Sequence, residues 1–360
     1  MAKRMGGGAT RKIKWLAGVV VGLVVAYSAL WLFLANRLET EADQAIAQAA
    51  ANGTIIECVG RDAGGYPFRL GLFCEETGLE ANGTVVNAGA FRSAAQIYRP
   101  GLVISEIEGP LTVQGAGTTV EAQWDRARAS TRFGTEQLNL GTVDLTDLSI
   151  AANLPNGTPV TADVARILAS VQPSGTDLDL ALTVDGADPA PVAGRDVPPM
   201  DLFIDATVSD AAGAVSYDNQ ALDSLRGRSV QLRDLNLAFV DGGRIEAGGD
   251  LDIDADGLAT GTLDIGFSDL SATIAGLTNL FPEAASQLDA IRSVVGGGGD
   301  GGAGGLLAGI LGGGQSEEQP AAETTDAENP SGLDTNVSIT LDRGRMRLGV
   351  IPIGSFPILP

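Results

Sequence analysis

Histidine is absent from the 360 residues, and lysine occurs at three positions only, Lys3, Lys12 and Lys14. Beyond residue 14 this removes Ser-His-Asp and Cys-His catalysis, imidazole metal sites, and lysine as Schiff-base former or general base. An enzyme built from this chain would have to run on carboxylates, hydroxyls, arginine or a bound metal, and the expectation is a non-enzyme without a cofactor. Positive charge is scarce as well. Residues 15–360 carry 18 Arg against 45 Asp and Glu, a formal charge of −27. That balance argues against nucleic acid as a partner and against adhesion to bare anionic head groups through a basic patch. Cysteine is limited to Cys58 and Cys74.

What the chain does have is one long uncharged run, Trp15 to Ala35, of 21 residues. As a helix it reaches roughly 31 Å, about the hydrocarbon thickness of a bilayer. It reads as a transmembrane helix, with Trp15, Tyr27 and Trp31 placed as interfacial anchors. The segment before it holds Lys3, Arg4, Arg11, Lys12 and Lys14 and no acid. The positive-inside rule therefore keeps the N-terminus cytoplasmic and exports the rest, which predicts a single-pass inner-membrane protein with a periplasmic domain. The competing reading is a cleaved signal peptide. Its h-region would be shorter, and the Ala-x-Ala patterns at Ala45-Ile46-Ala47 and Ala47-Gln48-Ala49 lie a helical stretch beyond the apolar run. In an oxidising compartment a lone cysteine pair reads as a disulfide, worth ~3 kcal/mol on the chain-entropy model, with two free buried thiols as the alternative.

Six segments follow: a basic tail (1–14), the span (15–35), a juxtamembrane helix or stalk (36–53), a β-rich domain (54–295), a Gly-rich and acidic linker (296–332), and a hairpin completing the β domain (333–360). The helix over Asn36 to Ala51 continues or hinges off the span and stops at Asn52-Gly53; its thin apolar face (Leu38, Ala42, Ala45, Ile46, Ala49) suits a stalk or a lid. From Thr54 the apolar period becomes two. Thr54 to Cys58 and Phe68 to Cys74 predict a hairpin clipped by the disulfide. Short antiparallel strands follow to Trp124, then Ala127 to Phe133, Gln137 to Leu148, and Ser149 to Leu154. Pro159 to Ser170 reads as a helix with Val160, Val164, Ile167 and Leu168 on one face. Strands at Asp177 to Asp185, Asp201 to Ser209 and Val230 to Val240 bracket a second helix at Asn219 to Leu225. The hairpin from Arg244 to Phe267 has one apolar and one acidic face. Asp269 to Val295 reads as helix, Gly296 to Asn329 as a disordered linker, and Thr335 to Leu341 with Arg345 to Ile353 as the closing hairpin.

Asp252-Ile253-Asp254-Ala255-Asp256-Gly257 matches half an EF-hand loop, but the twelfth position is Leu263 rather than a bidentate Glu, so no metal is expected. The G-x-G-x-x-G within Gly296 to Gly301 lacks its βαβ context. Glu75-Glu76 and Glu106 with Glu108 are carboxylate pairs of the kind glycosidases use, and equally ordinary strand acids. Gly64-Gly65-Tyr66-Pro67-Phe68-Arg69 is more distinctive: Pro67 fixes its own φ and extends Tyr66, so Tyr66, Pro67, Phe68 and Arg69 form a candidate contact loop, or else cap the end of the β core.

That block between Cys58 and Cys74 follows an N-terminal anchor. The chain closes on the run Leu341-Asp342-Arg343-Gly344-Arg345 to Gly349-Val350-Ile351-Pro352-Ile353 and Pro357. Together these resemble the alphaproteobacterial envelope family known as domain of unknown function 2125, over nearly the whole chain, with the Gly-rich insertion its least typical part. The resemblance implies a membrane-anchored periplasmic β protein of uncharacterised role, similar in style to the AsmA-like envelope proteins, with no catalytic residue to transfer. The fold expected is mainly β, a large antiparallel, curled sheet with a few covering helices. The function expected is binding of lipid or another hydrophobic ligand, or envelope biogenesis; the alternative is a scaffold docking another envelope protein through the disulfide loop or a sheet edge.

Overall fold

Alternation of apolar and polar side chains governs the chain beyond residue 54, and it produces strands that pair in the order of the sequence. The computed structural model describes residues 7–134, 138–155, 159–191, 196–215, 226–281, 285, 288, 335–349 and 351–355. A helix α1 (Gly7–Ala51) opens the fold. It ends at Asn52-Gly53, where Gly53 takes φ 84° and its N–H bonds the Ala50 carbonyl. A Cβ would oppose that left-handed step.

Five interrupted long strands follow: β1 (Thr54–Val59) with β2 (Asp62–Gly64), β3 (Arg69–Cys74) with β4 (Glu76–Ala81), β5 (Thr84–Ala88) with β6 (Phe91–Gln96), β7 (Arg99–Ile107) with β8 (Leu111–Gly115), and β9 (Thr118–Gln123) with β10 (Arg126–Phe133). Seven more are β11 (Leu138–Asn153), β12 (Pro159–Ser174), β13 (Asp177–Pro189), β14 (Met200–Val208), β15 (Arg228–Phe239), β16 (Arg244–Ile253) and β17 (Ala259–Ser268). A helix α2 (Leu270–Leu280) intervenes before β18 (Thr335–Asp342), β19 (Arg345–Leu348) and β20 (Ile351–Ser355). All twenty belong to one antiparallel sheet that does not close into a barrel. Each long strand pairs with its predecessor on one side and its successor on the other, from β1 and β2 at one edge to β20 at the other.

The interruptions line up. Gly60-Arg61, Glu75, Gly89-Ala90, Glu108 to Pro110 and Trp124-Asp125 break successive strands at one transverse line. The line continues through Asp147 (φ 52°) on β11, Ala165 on β12 and Gly186 (φ 58°) on β13, which the ladders skip. Opposed residues drop out of the ladder together here, so the register is kept while the side-chain alternation of each strand shifts by one. Apolar side chains accordingly step by three across the line, from Ala88 to Phe91, Leu145 to Leu148 and Val164 to Ile167.

The two faces differ in chemistry. The polar face carries cross-strand ion pairs: Asp144 with Arg166 (2.8 Å) and Arg126 (3.7 Å), Asp179 with Arg233 (2.8 Å), and Asp205 with Arg233. α2 covers the apolar face at one end of β16 and β17. The Asp269 carboxylate caps it by accepting from the Ala272 N–H (3.0 Å), the buried Thr273 hydroxyl donates to the Ser268 carbonyl, and Gly276 lies against the Phe239 ring.

Several expectations need revision. Pro159 to Ser170 is not a helix; it belongs to β12. Gln137 to Leu148 and Ser149 to Leu154 form one strand rather than two. The cysteine hairpin exists, but its turn is tighter than expected, because Asp62–Gly64 is strand and only residues 65–68 turn. The final run past Arg345 is two strands. α1 passes from the apolar run through Ala51 without a hinge. The helix expected at Asn219 to Leu225 and the linker at Gly296 to Asn329 lie outside the described residues, as does most of the chain expected to be helical beyond Phe281.

Candidate functional site

Where α1 leaves its apolar run it meets the sheet with one stripe. Trp31 and Ala35 are buried, Leu38 packs beside them against Ala63, and Ala42 and Ile46 follow one and two turns on. Spacings of three and four keep these residues on one side of a helix, so the register of the sequence aims them at the bend of the sheet.

Under Ala42, Ala45 and Ile46 lies a cleft of about 440 Å³. Its floor comes from both sides of the bend, with Leu72 and Cys74 from β3, Phe91 from β6 and Ile107 from β7 on one side, and Ile56, Leu79, Val86 and Leu111 on the other. Glu57 and Thr77 are the only residues of the lining with polar side chains. Its volume lies within the ordinary range of small-molecule sites, and a lining of this kind binds by excluding water rather than by hydrogen bonding. Cys58 and Cys74 are disulfide-bonded across the floor, Cα to Cα 5.2 Å, and fix the first two long strands where they bend.

The cleft is the start of a longer apolar surface. One transverse row of directly paired residues runs Cys74, Phe91, Ile107, Ala127, Leu145, Ile167, Val184, Leu202, Leu237, Ile245, Phe267. Paired positions point to the same side of a sheet, and at roughly 4.8 Å per strand this row is about 48 Å long. Its ends are buried, Cys74 near α1 and Phe267 near α2. Its middle, from Leu145 to Ile245, is only half-buried. Among the described residues, no helix covers that middle.

The candidate contact loop docks on the helix. Tyr66 stacks edge-on against Trp31 (centroids 5.4 Å apart) and its hydroxyl bonds that of Ser28 (2.8 Å). The Tyr27 hydroxyl donates to the Pro67 carbonyl, and the Trp31 indole N–H donates to the Arg69 carbonyl (2.9 Å). Two of the three expected interfacial anchors, Tyr27 and Trp31, thus face the β domain, while Trp15 stands 71% exposed. Phe68 is 69% exposed.

The acids do not gather in the cleft. Glu108 pairs with Arg92, and Glu106 lies 3.9 Å from Arg128. Asp254, from the EF-hand-like stretch, accepts from the Asp256 and Leu258 N–H groups and so closes the β16–β17 turn. Acids do converge on the polar face, where Asp234, Glu246 and Asp264 border an open depression of about 490 Å³ beside Arg233. There partial desolvation, with Glu246 and Asp205 nearby, pushes the Asp234 carboxyl up. By contrast, hydrogen bonds from Thr207 and Arg233 hold Asp179 below the usual carboxylate range, and the Arg166 bond does the same for Asp144.

The family model described as "Uncharacterized protein conserved in bacteria (DUF2125)" matches residues 31–357. The chain belongs to that family. The match begins at Trp31, one of the α1 residues that hold the loop, and runs through the described sheet to the end of β20. No curated protein and no solved structure matches. The role of this DUF2125 member rests on its own geometry. The helix holding Trp31 is long and apolar enough to cross a membrane.

Proposed function

We propose that the chain is a single-pass inner-membrane protein whose β domain stands on the periplasmic side and holds the acyl chain of a lipid, or a similarly apolar ligand, in a trough made of the cleft and the apolar row beyond it, without catalysing a reaction. The observation that carries this reading is the unbroken apolar row from Cys74 to Phe267, sheltered at both ends and half-open between. A sheet built only for stability would bury such a row against a second layer. The basic N-terminal tail supports the orientation, and a disulfide suits an oxidising compartment. The absence of histidine and of lysine beyond residue 14 supports a binding role over a catalytic one.

The test uses the full-length protein in detergent-free nanodiscs and a fluorescent fatty acid as probe. Saturable binding that competes with unlabelled fatty acid supports the reading; no saturable signal at micromolar protein rejects it. A second reading, docking of another envelope protein by strand addition, rests on one observation. β1 pairs on one side only among the described residues and exposes Ile55 and Val59, 49% and 50%. An unpaired apolar edge of this kind accepts a strand. Photocrosslinking from Ile55 in membranes would trap one dominant protein under that reading, and lipid or nothing under the first.

A further inference from the structure

The loop that grips α1 meets it before the apolar run has ended. Tyr27 lies twelve residues beyond Trp15 and Trp31 sixteen, so along a helix the docking contacts sit about 18 to 24 Å from Trp15, short of the roughly 30 Å of a hydrocarbon core. The same turns of α1 present large apolar side chains on their other side, with Leu30 55%, Leu32 57% and Phe33 65% exposed. A helix crossing a bilayer places those residues in lipid, and the docked loop then lies at their depth.

The side chains at that depth suit it. Phe68 is 69% exposed, Tyr66 50% and Tyr98 67%. Tyr98 belongs to the β6–β7 turn, which is tied to the loop by the bond from the Ile97 N–H to the Phe68 carbonyl (3.1 Å). Aromatic rings with a polar edge favour the interfacial zone of a membrane. The charges agree: Gly65 to Arg69 and Ile97 to Pro100 contain Arg69 and Arg99 and no acid, in a region where the exported chain is otherwise strongly acidic. Arginine at this level reaches phosphate while its stem stays in apolar surroundings.

We infer that the Gly65–Phe68 loop and the Ile97–Tyr98 turn are immersed in the head-group and upper acyl region of the leaflet on the domain's side, so that the β domain stands within the membrane surface rather than above it on a stalk. This rests on the membrane-spanning reading of α1. It adds to the proposed function a route of supply: the bent sheet begins at a tip already among lipid chains.

The experiment places an environment-sensitive fluorophore on single introduced cysteines in the full-length protein, in phosphatidylcholine–phosphatidylglycerol vesicles with the native disulfide intact. The variants are Phe68→Cys, Tyr98→Cys, Val21→Cys within the span and Asn82→Cys on the β4–β5 turn at the opposite end of the sheet. Positions 68 and 98 are both mostly exposed, so neither substitution removes packing. The result expected is blue-shifted emission at 68 and 98, quenched by lipid-borne nitroxides as at 21, while 82 is quenched only by aqueous iodide. Labels at 68 and 98 that behave like the one at 82, with 21 still lipid-quenched, overturn the inference and leave the span standing. Iodide access at 21 overturns the span and the inference with it.

Discussion

Replacing Trp31 with alanine isolates the joint between helix and β domain. The indole is 7% exposed. Truncating a buried aromatic of this size to alanine costs about 3–5 kcal/mol, and the share due to lost packing remains where the opened joint faces lipid rather than water. Taking about 3 kcal/mol for opening of the joint, the population of the open form rises by about two orders of magnitude. Native-state hydrogen exchange reads this at amides that depend on the docked loop, Arg69 (bonded to the Gly65 carbonyl, 2.9 Å) and Ile97 (bonded to the Phe68 carbonyl, 3.1 Å). Their protection should fall about 100-fold in Trp31→Ala, while Leu182, deep in the β12–β13–β14 ladder, holds. Trp31→Phe keeps most of the ring area and loses only the N–H bond to the Arg69 carbonyl, so about 1 kcal/mol and roughly a fivefold fall is expected. If alanine and phenylalanine behave alike, or if Leu182 loses protection equally, the joint is not a local clamp.

Four further outcomes follow from the geometry. Cys58→Ser with Cys74→Ser, or reduction of the native pair, should lower the stability of the sheet by about 3 kcal/mol in denaturant titrations, the loop-closure value for this separation; an unchanged midpoint would show that the bend needs no staple. Ala88→Phe, which pushes a ring into the cleft, should weaken fatty-acid binding at least tenfold while leaving circular dichroism unchanged. Gly276→Ala would bring a methyl to 2.9 Å from the Phe239 ring and should destabilise α2 by about 1–3 kcal/mol, read as lost protection of its amides. Asp234, whose carboxyl is pushed up, is favoured in its protonated form by folding; that contribution is present below about pH 4 and is lost as pH rises through the raised value. Asp234→Asn should therefore be more stable than the parent at pH 7, by less than about 1 kcal/mol for so solvent-accessible a group, with the difference vanishing below about pH 4. The lowered Asp144 and Asp179 act oppositely, so their ion pairs are lost as the solution is acidified below the ordinary carboxylate range.

The strand grammar was legible because half-buried strands write an alternation into the sequence; β13 and the β16–β17 hairpin were readable residue by residue. The bend was not, since it consists of single extra residues. At Ala165 the extra residue separates Val164 from Ile167 by three positions. With Val160 and Leu168 this imitates a helical stripe, and so β12 reads as a helix in sequence. Asp147 does the same on β11, and the boundary expected near Leu148 marks that unpaired residue rather than the end of a strand. The cysteine pairing was legible from compartment logic and count. The cleft was not, because its lining is drawn from seven strands and a helix whose neighbours are defined only by register. The docking of Tyr66 on Trp31 left no local signal either: each aromatic was visible, but their meeting depends on where α1 crosses the sheet.

Pairing in sequence order has a consequence for how the protein is made. Each newly emerging strand finds one partner edge already in place, that of the preceding strand. Each ladder joins strands that are neighbours in chain order, so no pairing waits for a distant part of the sheet, and the exposed growing edge is always the newest strand. Assembly is then a zipper anchored at α1, and a chain stopped early would be a shorter version of the same trough rather than a core left hollow.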